Sequence, residues 1–132
     1  MIGVDTNVLL RLIVGDDKKQ QAAARALFDR RSPDEPVYVC QTVLLELVWS
    51  LGRTYGYPRE QVLALLDELL GLNDVALEQQ DLVAKVVDKA RETKTGFPDI
   101  MVAMGNLNAG CVSTLTFDRA AAKRVEGMEL LS

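Results

Sequence analysis

Histidine is missing altogether from this chain of 132 residues. Its absence excludes imidazole ligands for zinc, and it excludes Ser–His and Cys–His catalysis within the chain. Catalysis, if there is any, must rest on carboxylates, lysine, hydroxyls or a bound metal. Cysteine is scarce: Cys40 and Cys111 are too few for a disulfide scaffold. Aromatic residues make up only 5%, so aliphatic packing has to build the core. A basic excess is lacking too. With a net charge of −4, the molecule as a whole does not attract nucleic acid, and any RNA or DNA binding needs a local basic patch or a metal. No apolar run is long enough to span a bilayer. The opening MIGVDTNVLLRLIVGDD has no basic n-region and soon meets an acid, unlike a signal peptide, so the cytoplasm is the default expectation.

What is present is apolar residues, at 48%, enough to exclude a disordered chain. The length fits a single domain over 1–132. MIGVD reads as a strand ending at Asp5, and NVLLRLIVG as a short helix stopped by Gly15. Asp16 or Asp17 caps a helix from Lys18 to about Arg30. VYVC is a strand. Thr42 is the expected cap of a helix running to about Tyr55. REQVLALLDELLG is an amphipathic helix with Pro58 near its start and Gly71 after it. DVALE is a strand and DLVAKVVDKARET another amphipathic helix. In TGFPDIMVAMGNLNAG, Pro98 and Asp99 fall in a first helical turn. CVSTLT and MELL are strands flanking a short helix in FDRAAAKRVEG. Alternating helices and strands predict an α/β fold with a parallel sheet of roughly five strands, covered by helices on both faces. In such a sheet Cys40 and Cys111 lie at opposite ends and do not pair.

The stretch TVLLELVWSL holds one ionisable residue, Glu46, in an otherwise apolar helix. Thr42, Glu46 and Ser50 form a polar stripe at helical spacing. A helix this apolar is expected inside, and a buried carboxylate needs a partner or a metal. Sites in open parallel sheets form beyond the carboxyl ends of the strands. Four acids map to that edge. Asp5 ends the first strand, and Glu46 lies a turn into the helix after the second. Asp99 opens the helix before the fourth strand, and Asp118 follows that strand. Only Asp118 has a neighbouring base, Arg119. Singly, each acid reads as a turn, a cap or a surface charge. Jointly, they predict an all-oxygen site suited to Mg²⁺ or Mn²⁺. Such a site activates water and stabilises displacement at phosphorus.

IGVDTNVLLRLI, TVLLELVWSL, GFPDIMVA and TLTFDRAA, in this order across nearly the whole chain, resemble the PIN-domain family. The likeness is to the VapC toxins of toxin–antitoxin pairs in particular. The resemblance implies a three-layer α/β/α fold and a Mg²⁺-dependent ribonuclease. Asp5, Glu46, Asp99 and Asp118 would be its acidic site, with Asp5 and Asp99 as the main metal ligands. Asn7 would orient Asp5 or substrate, and Thr116 would support the Asp118 loop. It also implies a homodimer and a VapB-like antitoxin whose tail occupies the active-site groove, where an Arg or Lys could replace the metal's charge. Pro98 stands where many relatives carry a small or acidic residue, so the number of metal ions stays open. Arg11, Arg53, Lys94 and Arg119 are candidate RNA contacts near the active edge; each taken alone reads more simply as a solvated surface charge.

Three alternatives compete. A haloacid-dehalogenase-type phosphoryl transferase needs a second Asp two residues after Asp5, where this chain has Asn7. A receiver-like signalling domain needs an acidic pair near the first strand. A catalytically silent binding module would keep the fold and a partner without activity.

Overall fold

A computed structural model of the chain describes residues 1–132. It divides into two compact units, residues 1–80 and 81–132. Each is built around parallel strands, and no helix is long and apolar enough to cross a membrane.

The first unit runs β1 (Ile2–Gly3), α1 (Thr6–Val14), α2 (Lys18–Asp29), β2 (Val37–Val39), α3 (Gln41–Arg53), α4 (Arg59–Gly71) and β3 (Val75–Leu77). The strands pair in the order β1-β2-β3, all parallel, with Val37 opposite Ile2 on one side and Val75 on the other. Alternation sets the burial: Val37, Val39, Val75 and Leu77 are buried, whereas Tyr38 and Ala76 are half-buried. Burial pushes the Tyr38 hydroxyl above its ordinary pKa, and nearby Glu78 adds to the shift. Leu9 and Leu10 of α1, Leu44, Leu47 and Leu51 of α3, and Leu63 and Leu66 of α4 are also buried. Helix α1 ends at Gly15, whose φ of 69° is the left-handed conformation that glycine adopts without strain. A Cβ there would stand 2.6 Å from Nε2 of Gln21, the group that donates to the carbonyl of Leu12. The tight turn thereby sets α2 against α1. Asp17 caps α2, its Oδ1 accepting from the Gln20 N–H, an interaction worth about 1 kcal/mol.

The second unit holds α5 from its second residue onward (Gln80–Thr93), α6 (Phe97–Asn108), β4 (Thr114–Thr116), α7 (Arg119–Arg124) and β5 (Met128–Leu130). Strand β4 pairs with β5 in parallel. Val83, Val86, Val87 and Ala90 of α5 are fully buried. Ala103, Ala121 and Val125 form a small cluster with Met128 packed on it.

Several sequence expectations need correction. β1 stops at Gly3 instead of reaching Asp5, because Asp5 turns into the cap of α1. Helix α3 starts a residue before Thr42, with Cys40 at the N-cap position and no side-chain bond from it. Glu78, just past β3, supplies the missing acceptor: its Oε1 takes the Gln41 N–H at 2.9 Å. Gly71 is the last residue of α4, not the one after it. The five strands hydrogen-bond as a three-stranded and a two-stranded ladder. Cys40 and Cys111 are both free thiols.

Candidate active site

Two of the four acids lie in the first unit. Asp5 is in extended conformation at the N-cap of α1, and its Oδ1 accepts from the Thr6 N–H at 2.7 Å. Thr6 is 5% exposed, one of few buried polar residues in the chain. Its Oγ1 donates to Oε2 of Glu46, forty residues away in sequence, at 3.0 Å. One threonine thus holds two carboxylates from different elements, the backbone gripping Asp5 and the hydroxyl gripping Glu46. The geometry follows from local sequence. Asp5 caps, Thr6 is the first helical residue, and its side chain turns inward toward α3, which packs on α1. Each carboxylate keeps a second oxygen with no protein partner, and no cation pairs with either acid.

Glu46 is exposed, which overturns the expectation that it is buried. The inward stripe of α3 is Val43, Leu44, Leu47 and Leu51, and Glu46 lies off it. Thr6 reaches the carboxylate from beneath, so Glu46 is fixed without desolvation, and no metal is needed to explain it.

The other two acids lie in the second unit. Asp118 caps α7: its Oδ1 accepts from the Ala121 N–H, and its own N–H donates to Oγ1 of Thr116 at 3.0 Å. Asp99 is exposed in the first turn of α6, after Pro98. Near the other end of α6, Asn106 donates to Thr114 at the start of β4 at 2.8 Å. That bond ties the carboxyl end of α6 to the start of β4. Within neither unit do three or more acids and cysteines converge closely enough to hold a metal. Each unit supplies two carboxylates with uncommitted oxygens, a hard donor set that fits Mg²⁺ or Mn²⁺ in chemistry.

Asn7 is exposed beside Asp5 and lines a groove of about 360 Å³ between α1 and α2, with Val8, Arg11, Gln20, Ala24 and Leu27. Arg11 is already engaged. Its Nε donates to Gln20 at 2.7 Å, and its Nη1 meets Asp16 at 3.3 Å and Tyr55 at 3.4 Å. The Tyr55 hydroxyl, and then Asp16, raise its pKa. Arg53, Lys94 and Arg119 are exposed and form no ion pair. Sequence reasoning gave no role to Thr6 or Glu78. The signal for Thr6 was a hydroxyl directly between an acid and an apolar helix.

The chain belongs to the PIN domain family, whose model matches residues 2–127. The α/β/α fold with parallel strands expected from the sequence is that family's fold. Among characterised proteins, it is similar to the VapC ribonuclease of Aquifex aeolicus (strain VF5). The two are 21% identical over 120 residues, a match covering 91% of this chain and 89% of that protein.

Proposed function

We propose that this protein is a metal-dependent endoribonuclease, the toxin of a VapBC-type pair, with Asp5, Glu46, Asp99 and Asp118 as its acidic centre. The observation that carries the reading is Thr6, which fixes Asp5 and Glu46 together in the absence of any pairing cation. Family membership and the ribonuclease relative support it.

Asp5 and Asp99 would be the main ligands of Mg²⁺ or Mn²⁺, with Glu46 and Asp118 completing the set. A cation so bound would lower the pKa of water and offset charge on the phosphate. The chain's own residues do the positioning. Thr6 restrains one oxygen of each acid in its unit, leaving one oxygen of each for work. Thr116 holds the Asp118 backbone, and the cap bond to Ala121 fixes that carboxylate's direction. Asn7 lies next to Asp5 for contact with substrate. The same reading includes a single domain over 1–132, a homodimer and a VapB-like antitoxin.

Incubation of purified protein with total RNA tests it, with Mg²⁺, Mn²⁺ or EDTA, beside Asp5→Asn prepared identically. Discrete fragments that vanish with EDTA and with Asp5→Asn are the expected result. Cleavage surviving Asp5→Asn would remove the assignment, and no cleavage in any tube would favour a silent binding module.

A further inference from the structure

The outer side of α3 continues past Glu46, and nothing described so far uses it. At about 100° per residue, Thr42, Glu46, Trp49 and Arg53 fall within an arc of about 60°, opposite Val43, Leu44, Leu47 and Leu51. All four are exposed. Trp49 is the sole tryptophan of the chain, and 58% of it is accessible. An indole left in solvent gives up a large apolar burial. Arg53, one turn on, pairs with no acid. Between them Gly52 leaves open space where a side chain would stand, so the helix does not wall off the indole there.

We propose that Trp49 and Arg53 form a docking track for single-stranded RNA beside Glu46. The indole stacks on an unpaired base, and the guanidinium binds a neighbouring phosphate. The proposal rests on the nuclease reading and adds the form of the substrate. Along the helix, Trp49 is about 4.5 Å from Glu46 and about 6 Å from Arg53, spacings that one unstacked nucleotide bridges. Stacking accepts every base and needs it unpaired. With a net charge of −4 the chain as a whole does not attract RNA, so stacking on an exposed indole adds affinity that the overall charge does not supply. The surroundings of Trp49 favour RNA over a protein partner. Its helix neighbours are Glu46, Gly52 and Arg53, all exposed, and the half-buried Leu45. The centre of a protein interface would be more continuously apolar.

A single tryptophan makes the test direct. Asp5→Asn protein is titrated with a short unstructured RNA in EDTA, with Trp49 emission read alongside anisotropy of the same RNA carrying a fluorophore. Saturable quenching that tracks the anisotropy curve is expected. Trp49→Ala should weaken binding roughly tenfold and Trp49→Tyr much less. Arg53→Ala should reduce the slope of log K against log salt by about 0.7. Trp49→Ala should melt like its parent, since an exposed ring supports little packing. RNA binding with unmoved emission and undiminished affinity in Trp49→Ala overturns the track. So does emission that shifts with protein concentration alone while Trp49→Ala breaks an oligomer, the signature of a protein interface. If wild-type protein still cuts RNA in either case, the nuclease reading stands without the track. If it neither cuts nor binds RNA, both fall.

Discussion

The two units hold their acids in different ways. In the first, Asp5 and Glu46 are tied through one buried threonine, so moving either strains the other. In the second, Asp118 is engaged locally, capping its own helix, and Asp99 has only the start of α6 to place it. One residue, Thr6, bonds both acids of the first pair, whereas Asp118 is bonded through Thr116 and Ala121 with no residue in common with Asp99. The contrast teaches that the first pair is vulnerable to a change that removes no charge, whereas the second is vulnerable mainly to changes of the acids themselves.

The largest expected effects come from the charges. Asp5→Asn and Asp99→Asn should each lower metal-dependent RNA cleavage at least a hundredfold or so, beyond the roughly 10–100-fold typical of an outer partner of a metal ligand. Gel-resolved cleavage rates check it, and a rate within a few-fold of wild type would remove that acid from the centre. Next is the first unit's core. Leu47 is fully buried, and Leu47→Ala should cost about 2–5 kcal/mol in urea unfolding. Thr6 sharpens the comparison most. Thr6→Val keeps the shape but drops the hydroxyl bond to Glu46, and cleavage should fall about tenfold with Thr6→Ser restoring most of it. The midpoint of unfolding should move little, because Glu46 is exposed and water replaces the lost donor. A large loss of stability with unchanged cleavage would make Thr6 a packing residue only.

Much of this was legible in the sequence because local rules governed it. Gly15, Asp17 and Pro98 mark helix ends by backbone chemistry, and they sit where that chemistry requires. Glu46 departs from the sequence expectation because an apolar helix need not be covered on every side. Alongside Val43, Leu44, Leu47 and Leu51 on the inner side, α3 leaves an outer side open, and that carries both Glu46 and Trp49. The Thr6 link could not be read from spacing. It joins residues forty apart and depends on how α1 lies against α3. The Glu78 cap of α3 escaped for the same reason, since an acid ending one strand serves a helix that follows another.

Asp118 separates charge from capping in the second unit. Asparagine caps as well as aspartate, so Asp118→Asn should melt like wild type while losing cleavage. Asp118→Ala should lose the cap as well, at about 1 kcal/mol, read from the shift in urea midpoint. If both variants cut RNA at the wild-type rate, Asp118 serves the fold alone.

The smallest effect lies at the ion pair of Lys89 with Glu126 in the second unit. The hydrogen bond and charge of Lys89 hold the Glu126 carboxyl below its usual range, and Glu126 raises Lys89 in turn. A lowered carboxyl pKa means that the folded state binds fewer protons than the unfolded one around that pKa. The pair's contribution is therefore full above the ordinary glutamate value and is lost as pH falls through the lowered one. On the alkaline side it persists below the ordinary lysine value and fades as pH rises through the raised one. Both groups meet solvent, so salt should screen the effect. Glu126→Gln should flatten the acid limb of a melting-temperature profile slightly at low salt and leave it unchanged at high salt. A steep acid limb that persists in Glu126→Gln would assign acid sensitivity to other carboxylates.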